Sequence, residues 1–188
     1  MDKVSDKLIF LDVDGVLNCI HTHERSPEGF SGVEQGKVKL LADIVKRTGA
    51  LIVLSSSWRD EWHETSDESG NSKMSPGEDG IYLMGCLAEE GLTLAGLTVK
   101  GRGYERGSEI LAYLADHDHD SYVILDDEPF DFSEKGIAAH WCRTSVETGL
   151  TEGNVKEAVR ILNAKIPDVN TKKIEKKNFF KDHFGRKL

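Results

Sequence analysis

Apolar residues along the chain fall into short unbroken runs separated by stretches of helical spacing. Residues 7–13 and 121–125 are runs of strand length, and 50–54 is another, bounded by Gly49 and by Ser55 to Ser57. Strands that read as continuous apolar runs are buried on both faces, as in parallel sheets. Between them, Val38, Leu41, Ile44 and Val45 recur on one face of a predicted helix over 33–48, which Gly49 stops. Val155, Ala158, Val159 and Leu162 do the same over 151–163, with Thr151 as the cap. Helical patterns are also expected over 81–90 and 108–115, and short strands over 97–99 and 137–141. Strands alternating with helices predict an α/β fold, a parallel sheet flanked by helices, with ligands at the carboxyl ends of the strands.

Two stretches lack periodicity. Residues 18–32 contain Gly, His and Pro and are expected to form a loop or small flap over the site. Residues 65–80, TSDESGNSKMSPGEDG, are polar and read as a mobile loop, while 100–107 is a Gly- and Arg-rich connection.

The first strand ends in the most informative string, LIFLDVDGVLN over 8–18. Asp12 and Asp14 are two residues apart and therefore project the same way from an extended chain, and Gly15 permits a sharp turn just beyond them. Like charges held this close repel, and a hard divalent cation shared with a substrate phosphate relieves the repulsion. The pattern points to phosphoryl chemistry with an aspartate nucleophile and Mg²⁺.

This string resembles the first motif, DxDGxxx, of the haloacid dehalogenase (HAD) superfamily of phosphohydrolases. LIVLSSSWR (51–59), RGSEI (106–110), VILDDE (123–128) and GLTEGNV (149–155) follow in the order that superfamily requires. More narrowly, the set is similar to the small HAD domains of nucleic-acid end-repair proteins and to the phosphatase half of phage polynucleotide kinase-phosphatases. The resemblance implies a Rossmann-like, HAD-like domain over 1–164 with minimal cap insertions. Only about 40 residues separate the first two motifs, too few for a large cap. The stretch 65–103 is the other place for a small cap or loop insertion. An open site that admits a polynucleotide end is the expected consequence.

The resemblance also implies roles. Asp12 would be the nucleophile that forms an aspartyl-phosphate, and Asp14 the general acid and base. Ser55 matches the phosphate-binding Ser/Thr, although Ser56 fits the role too, and Gly15 and Arg59 join them as substrate-binding candidates. Arg106 best matches the third-motif cation, with Arg102 and Lys100 as alternatives. Asp12, Asp14, Asp126 and Asp127 are the expected Mg²⁺ ligands, with the choice between Asp126 and Asp127 open. His21, His23, His117 and His119 read as solvated loop residues rather than metal ligands.

Composition changes this picture in three ways. Among 188 residues no run approaches the roughly 18 apolar residues of a spanning helix, and no signal peptide precedes the first strand, so a soluble, cytoplasmic protein is expected. Cys19, Cys86 and Cys142 are widely spaced, which argues against disulfides and structural zinc. The net charge is −9, yet residues 165–188 carry eight Lys and Arg against three Asp and Glu. That basic tail, interleaved with Phe179, Phe180 and Phe184, has a composition suited either to tracking phosphates and stacking bases or to a terminal helix docked by its phenylalanines with a solvated basic face. With the resemblance to end-repair domains, which implies such a substrate, the favoured substrate is a nucleic-acid 3′-phosphate end. A small-molecule phosphatase or 5′(3′)-nucleotidase is the alternative, and a non-catalytic HAD-fold binding or regulatory domain a further one.

Overall fold

A computed structural model of the chain describes residues 6–66, 72–101, 105–164 and 166. In chain order the elements are β1 (Lys7–Leu11), α1 (Gln35–Thr48), β2 (Leu51–Leu54), β3 (Trp62–Ser66), β4 (Ser72–Pro76), α2 (Glu78–Ala88), β5 (Leu94–Leu97), α3 (Arg106–Asp116), β6 (Ser121–Asp126), β7 (Trp141–Arg143) and α4 (Glu152–Asn163). Single 3₁₀ turns occupy Ser57–Glu61 and Ala138–His140.

The sheet has five parallel strands in the order β5-β2-β1-β6-β7. Alternation along the strands divides the core. Ile9, Leu11, Ile52, Leu54, Val123 and Leu125 pack beneath α1, α2 and α4. Leu8, Phe10, Val53, Tyr122 and Ile124 pack beneath α3, Phe132 and Ile137. Both faces are thus covered, which is why the strands read as unbroken apolar runs. The register places Leu11 beside Leu54 and Leu125, so β1, β2 and β6 end together.

Helix α1 ends as its glycine suggests: Gly49 has φ +69° and its N–H donates to the Val45 carbonyl. Helix α4 begins on a reciprocal box between Thr151 and Asn154.

Four expectations need correction. Residues 65–80 do not form one loop, because β3 and β4 pair as an antiparallel ribbon that leads into α2. Its strands are mostly exposed, with Trp62 alone buried among the described side chains, so no apolar alternation marks them. The short strand expected over 97–99 lies earlier, as β5. The one expected over 137–141 lies later, as β7, because Ile137 tucks beneath α3 instead. Helix α3 starts at Arg106, two residues before the predicted start. The flap region 18–32 holds no helix or strand beyond an isolated bridge between Arg25 and Ser31. No helix among the described residues is long and apolar enough to cross a membrane.

Candidate active site

Backbone hydrogen bonds carry the sheet one residue past its strands. Asp12 N–H donates to the Leu125 carbonyl at 3.0 Å, Ser55 N–H to Leu11 at 2.8 Å and Thr144 N–H to Asp126 at 3.0 Å. Asp12, Ser55 and Asp126 are thereby fixed at adjacent carboxyl ends. Each continues the alternation of Phe10, Val53 and Ile124, on the face covered by α3.

After Asp12 the chain turns through Gly15, which has φ +69° and donates its N–H to Asn18 Oδ1 at 3.0 Å. A Cβ at position 15 would lie 2.5 Å from the carboxyl carbon of Asp127. Glycine is required here both for its backbone conformation and because Asp127 approaches so closely. Its observed role is to shape the turn.

Carboxylate oxygens of Asp12, Asp126 and Asp127 lie within 4.8 Å of one another. Asp126 is 1% exposed, Asp12 is also buried, and Asp127 is half-buried. Arg106 Nη1 bridges two of them, 3.0 Å from Asp12 Oδ1 and 2.7 Å from Asp126 Oδ2. Its guanidinium lies 4.4 Å over the Phe130 ring. Burial raises the Asp12 pKa, with Arg106 opposing the shift. Burial and then the charge of Asp12 push Asp126 up to about 8. The same two causes, in the same order, raise Asp127. Burial also works against the charge of Arg106, but Asp12 and Asp126 outweigh it and raise its pKa. The donor set consists of oxygens alone, and its carboxylates repel one another, which fits a hard divalent cation.

Asp14 stands apart from this cluster. Its side chain is held from both sides, Oδ1 accepting from Asn18 Nδ2 at 2.8 Å and Oδ2 from Trp58 Nε1 at 3.0 Å. Of the serines, Ser56 caps the turn that begins at Ser57, its hydroxyl accepting from Trp58 N–H, and it sits close enough to Asp12 to help lower that carboxyl's pKa against burial. The buried Ser55 hydroxyl has no hydrogen-bond partner among the described residues. Such a hydroxyl is uncommon away from a binding site.

Arg59 is committed elsewhere. Its guanidinium forms a buried ion pair with Glu109 at 2.7 Å and donates to the Ser56 carbonyl at 3.0 Å, tying the turn after β2 to α3. Lys100 pairs with Asp60 at the surface, and Arg102 lies outside the described residues. Of the described third-motif candidates, Arg106 alone reaches the carboxylates.

The sequence did not single out Asp131, Asn18, or Arg143 with Trp141. Asp131 Oδ1 accepts from Gly107 N–H at 2.6 Å and Oδ2 from Ser108 N–H at 3.3 Å, capping α3 from a distant loop just behind Arg106. Arg143 ends β7 in register with Asp126, is exposed, and holds its guanidinium 5.4 Å over Trp141. The signal available for Asn18 was its place in the first motif, four residues after Asp14. For Asp131 it was the same interval after Asp127.

A family model described as the HAD domain in Swiss Army Knife RNA repair proteins matches residues 8–155. No curated protein matches the chain.

Proposed function

The chain belongs to the HAD domain family of Swiss Army Knife RNA repair proteins, and from that premise we propose that it is a Mg²⁺-dependent phosphomonoester hydrolase acting on 3′-phosphate ends of nucleic acid. The observation that carries the reading is Arg106 bridging Asp12 and Asp126 within a cluster of three carboxylates at the carboxyl ends of β1 and β6.

Asp12, Asp126 and Asp127 would hold Mg²⁺, which offsets their charge and that of the phosphate when bound. An Asp12 carboxylate oxygen attacks phosphorus. The bond from phosphorus to the leaving ester oxygen breaks, and an aspartyl-phosphate forms. Arg106 neutralises charge that builds on the phosphoryl oxygens, and the free Ser55 hydroxyl donates to one of them. Asp14 gives its proton to the leaving oxygen. It then takes one from the water that attacks phosphorus and frees Asp12.

Three features support a polynucleotide substrate. The family is that of RNA repair proteins. The exposed Arg143, without an ion pair among the described residues, stands at the same sheet end and suits a neighbouring backbone phosphate. The basic stretch 165–188, known here from sequence since almost all of it lies outside the described residues, would extend that track beyond a phosphatase domain over 1–164.

Phosphate release tests the reading. The substrates are 3′- and 5′-phosphorylated oligoribonucleotides, a 3′-mononucleotide and an aryl phosphate, in Mg²⁺ or EDTA and at two salt concentrations. The 3′-phosphorylated oligonucleotide is expected to have the highest kcat/KM, to lose it in EDTA, and to lose affinity as salt rises because bound phosphates release counterions. Equal kcat/KM for mononucleotide and oligonucleotide without salt dependence would move the assignment to a small-molecule phosphatase, and full activity in EDTA would remove the metal.

A further inference from the structure

Trp58 looks like a core residue by type, and its ring is buried, but its polar end has a specific destination. The indole N–H donates at 3.0 Å to Asp14 Oδ2, while Asn18 Nδ2 donates at 2.8 Å to Oδ1. Both donors are buried, Trp58 being 7% and Asn18 3% exposed, whereas Asp14 is exposed. An exposed aspartate on a turn would otherwise exchange among its staggered rotamers. Here two fixed donors define one of them.

The donors are themselves anchored. Asn18 Oδ1 accepts from Gly15 N–H, so its amide spans the turn that carries Asp14. Trp58 is held through its backbone N–H by the Ser56 hydroxyl at 3.3 Å, and its ring lies tilted against Tyr82 with centroids 6.5 Å apart. An indole nitrogen can only donate, and a buried donor left without an acceptor is costly, so the location of Trp58 demands an acceptor where Asp14 provides one. Each carboxyl oxygen has two acceptor sites, and the two bonds use one on each. A site on either oxygen remains for the proton that moves.

We infer that Trp58 is a positioning residue for proton transfer, its indole N–H and the Asn18 amide together aiming the Asp14 carboxyl at the ester oxygen that leaves. This rests on the reading of Asp14 as general acid and base given above. The consequence is selective. Proton delivery matters most when the leaving oxygen is strongly basic, as in a sugar or other alkyl alcohol. It matters least for 4-nitrophenolate, which departs as the anion. A clamp on the acid therefore controls which esters are cleaved, and kcat/KM reports it because it covers only the steps through cleavage of the ester.

The test compares kcat/KM for an alkyl phosphate and for 4-nitrophenyl phosphate in wild type, Trp58→Phe and Asp14→Asn. Trp58→Phe keeps an aromatic ring and deletes the donor. Its loss on the alkyl ester is expected to exceed its loss on the aryl ester by about tenfold or more, a fraction of the roughly 10²–10⁴-fold that a positioned proton donor contributes. Across a series of leaving alcohols, its rates should fall more steeply with leaving-group basicity than those of wild type. Benzothienylalanine at position 58 replaces the N–H by sulfur in a ring of nearly the same shape, and should reproduce the selectivity even if the phenylalanine variant does not fold. Equal losses on both esters, or no loss, in the benzothienylalanine protein would overturn the inference. Asp14→Asn separates the two claims. If it retains alkyl-phosphate turnover, the acid–base reading of Asp14 is wrong and the role of Trp58 falls with it. If it is inactive while neither Trp58 variant discriminates between leaving groups, only the role of Trp58 is overturned.

Discussion

Asp126 shows what the site costs the fold when no cation is bound. Its acid is pushed from an ordinary 3.8 up to about 8, first by burial and then by Asp12. Between those two values the folded chain keeps a proton that the unfolded chain releases. The penalty that Asp126 places on metal-free stability is therefore absent below about pH 4 and grows as pH rises towards 8, with an upper slope of roughly 1.4 kcal/mol per pH unit from this one group. Asp126→Asn removes the titration, so in EDTA at pH 8 its Tm should exceed that of wild type, and the gap should close near pH 4. Adding Mg²⁺ should raise the wild-type Tm and leave the variant nearly unmoved. Identical melting curves at pH 8 would show that the buried carboxylate is not under strain. In the sequence, Asp126 and Asp127 were indistinguishable, since adjacent acids after a strand carry no mark of depth. The structure separates them by burial, with Asp126 inside and Asp127 at the rim where Gly15 makes room.

At the scale of elements, legibility followed the core. The strands β1, β2 and β6 and the helices α1 and α4 bury apolar faces, and their periodicity marks them in the sequence. The ribbon β3–β4 packs little beyond Trp62 and is held by backbone pairing, so its polar strands read as loop. Helix α3 begins two residues before its sequence pattern predicts, because its first turn is satisfied by Asp131, more than 20 residues further along the chain. Arg106 is the first residue of α3, so that long-range cap holds the helix start from which Arg106 reaches Asp12 and Asp126. Asp131→Ala should lower stability by about 1 kcal/mol, the usual value of a lost helix cap, and should lower kcat through loosened placement of Arg106. Urea denaturation together with steady-state kinetics checks both effects. An unchanged urea midpoint would show that α3 needs no cap from this loop.

At the scale of the molecule, one sheet assembles what the sequence scatters. The residues involved run from Asp12 to Asp127, and the strand order β2-β1-β6 brings three strand ends together. The ordered motifs announced this arrangement because each sits on a strand end or a helix start. Their lateral clamps, Trp58 and Asn18 on Asp14 and Glu109 on Arg59, did not announce themselves, because such contacts depend on how layers meet and not on spacing along the chain. In the proposed function the chemistry turns on Asp12 as the nucleophile. The most direct measurement is phosphate release from a 3′-phosphorylated oligonucleotide in Mg²⁺ by wild type and by Asp12→Asn, an amide of nearly the same shape that cannot act as an anionic nucleophile. Steady release by wild type with a loss of at least about a thousandfold in the folded variant is the expected result. Release by Asp12→Asn at a tenth of the wild-type rate, or none by wild type, would contradict it.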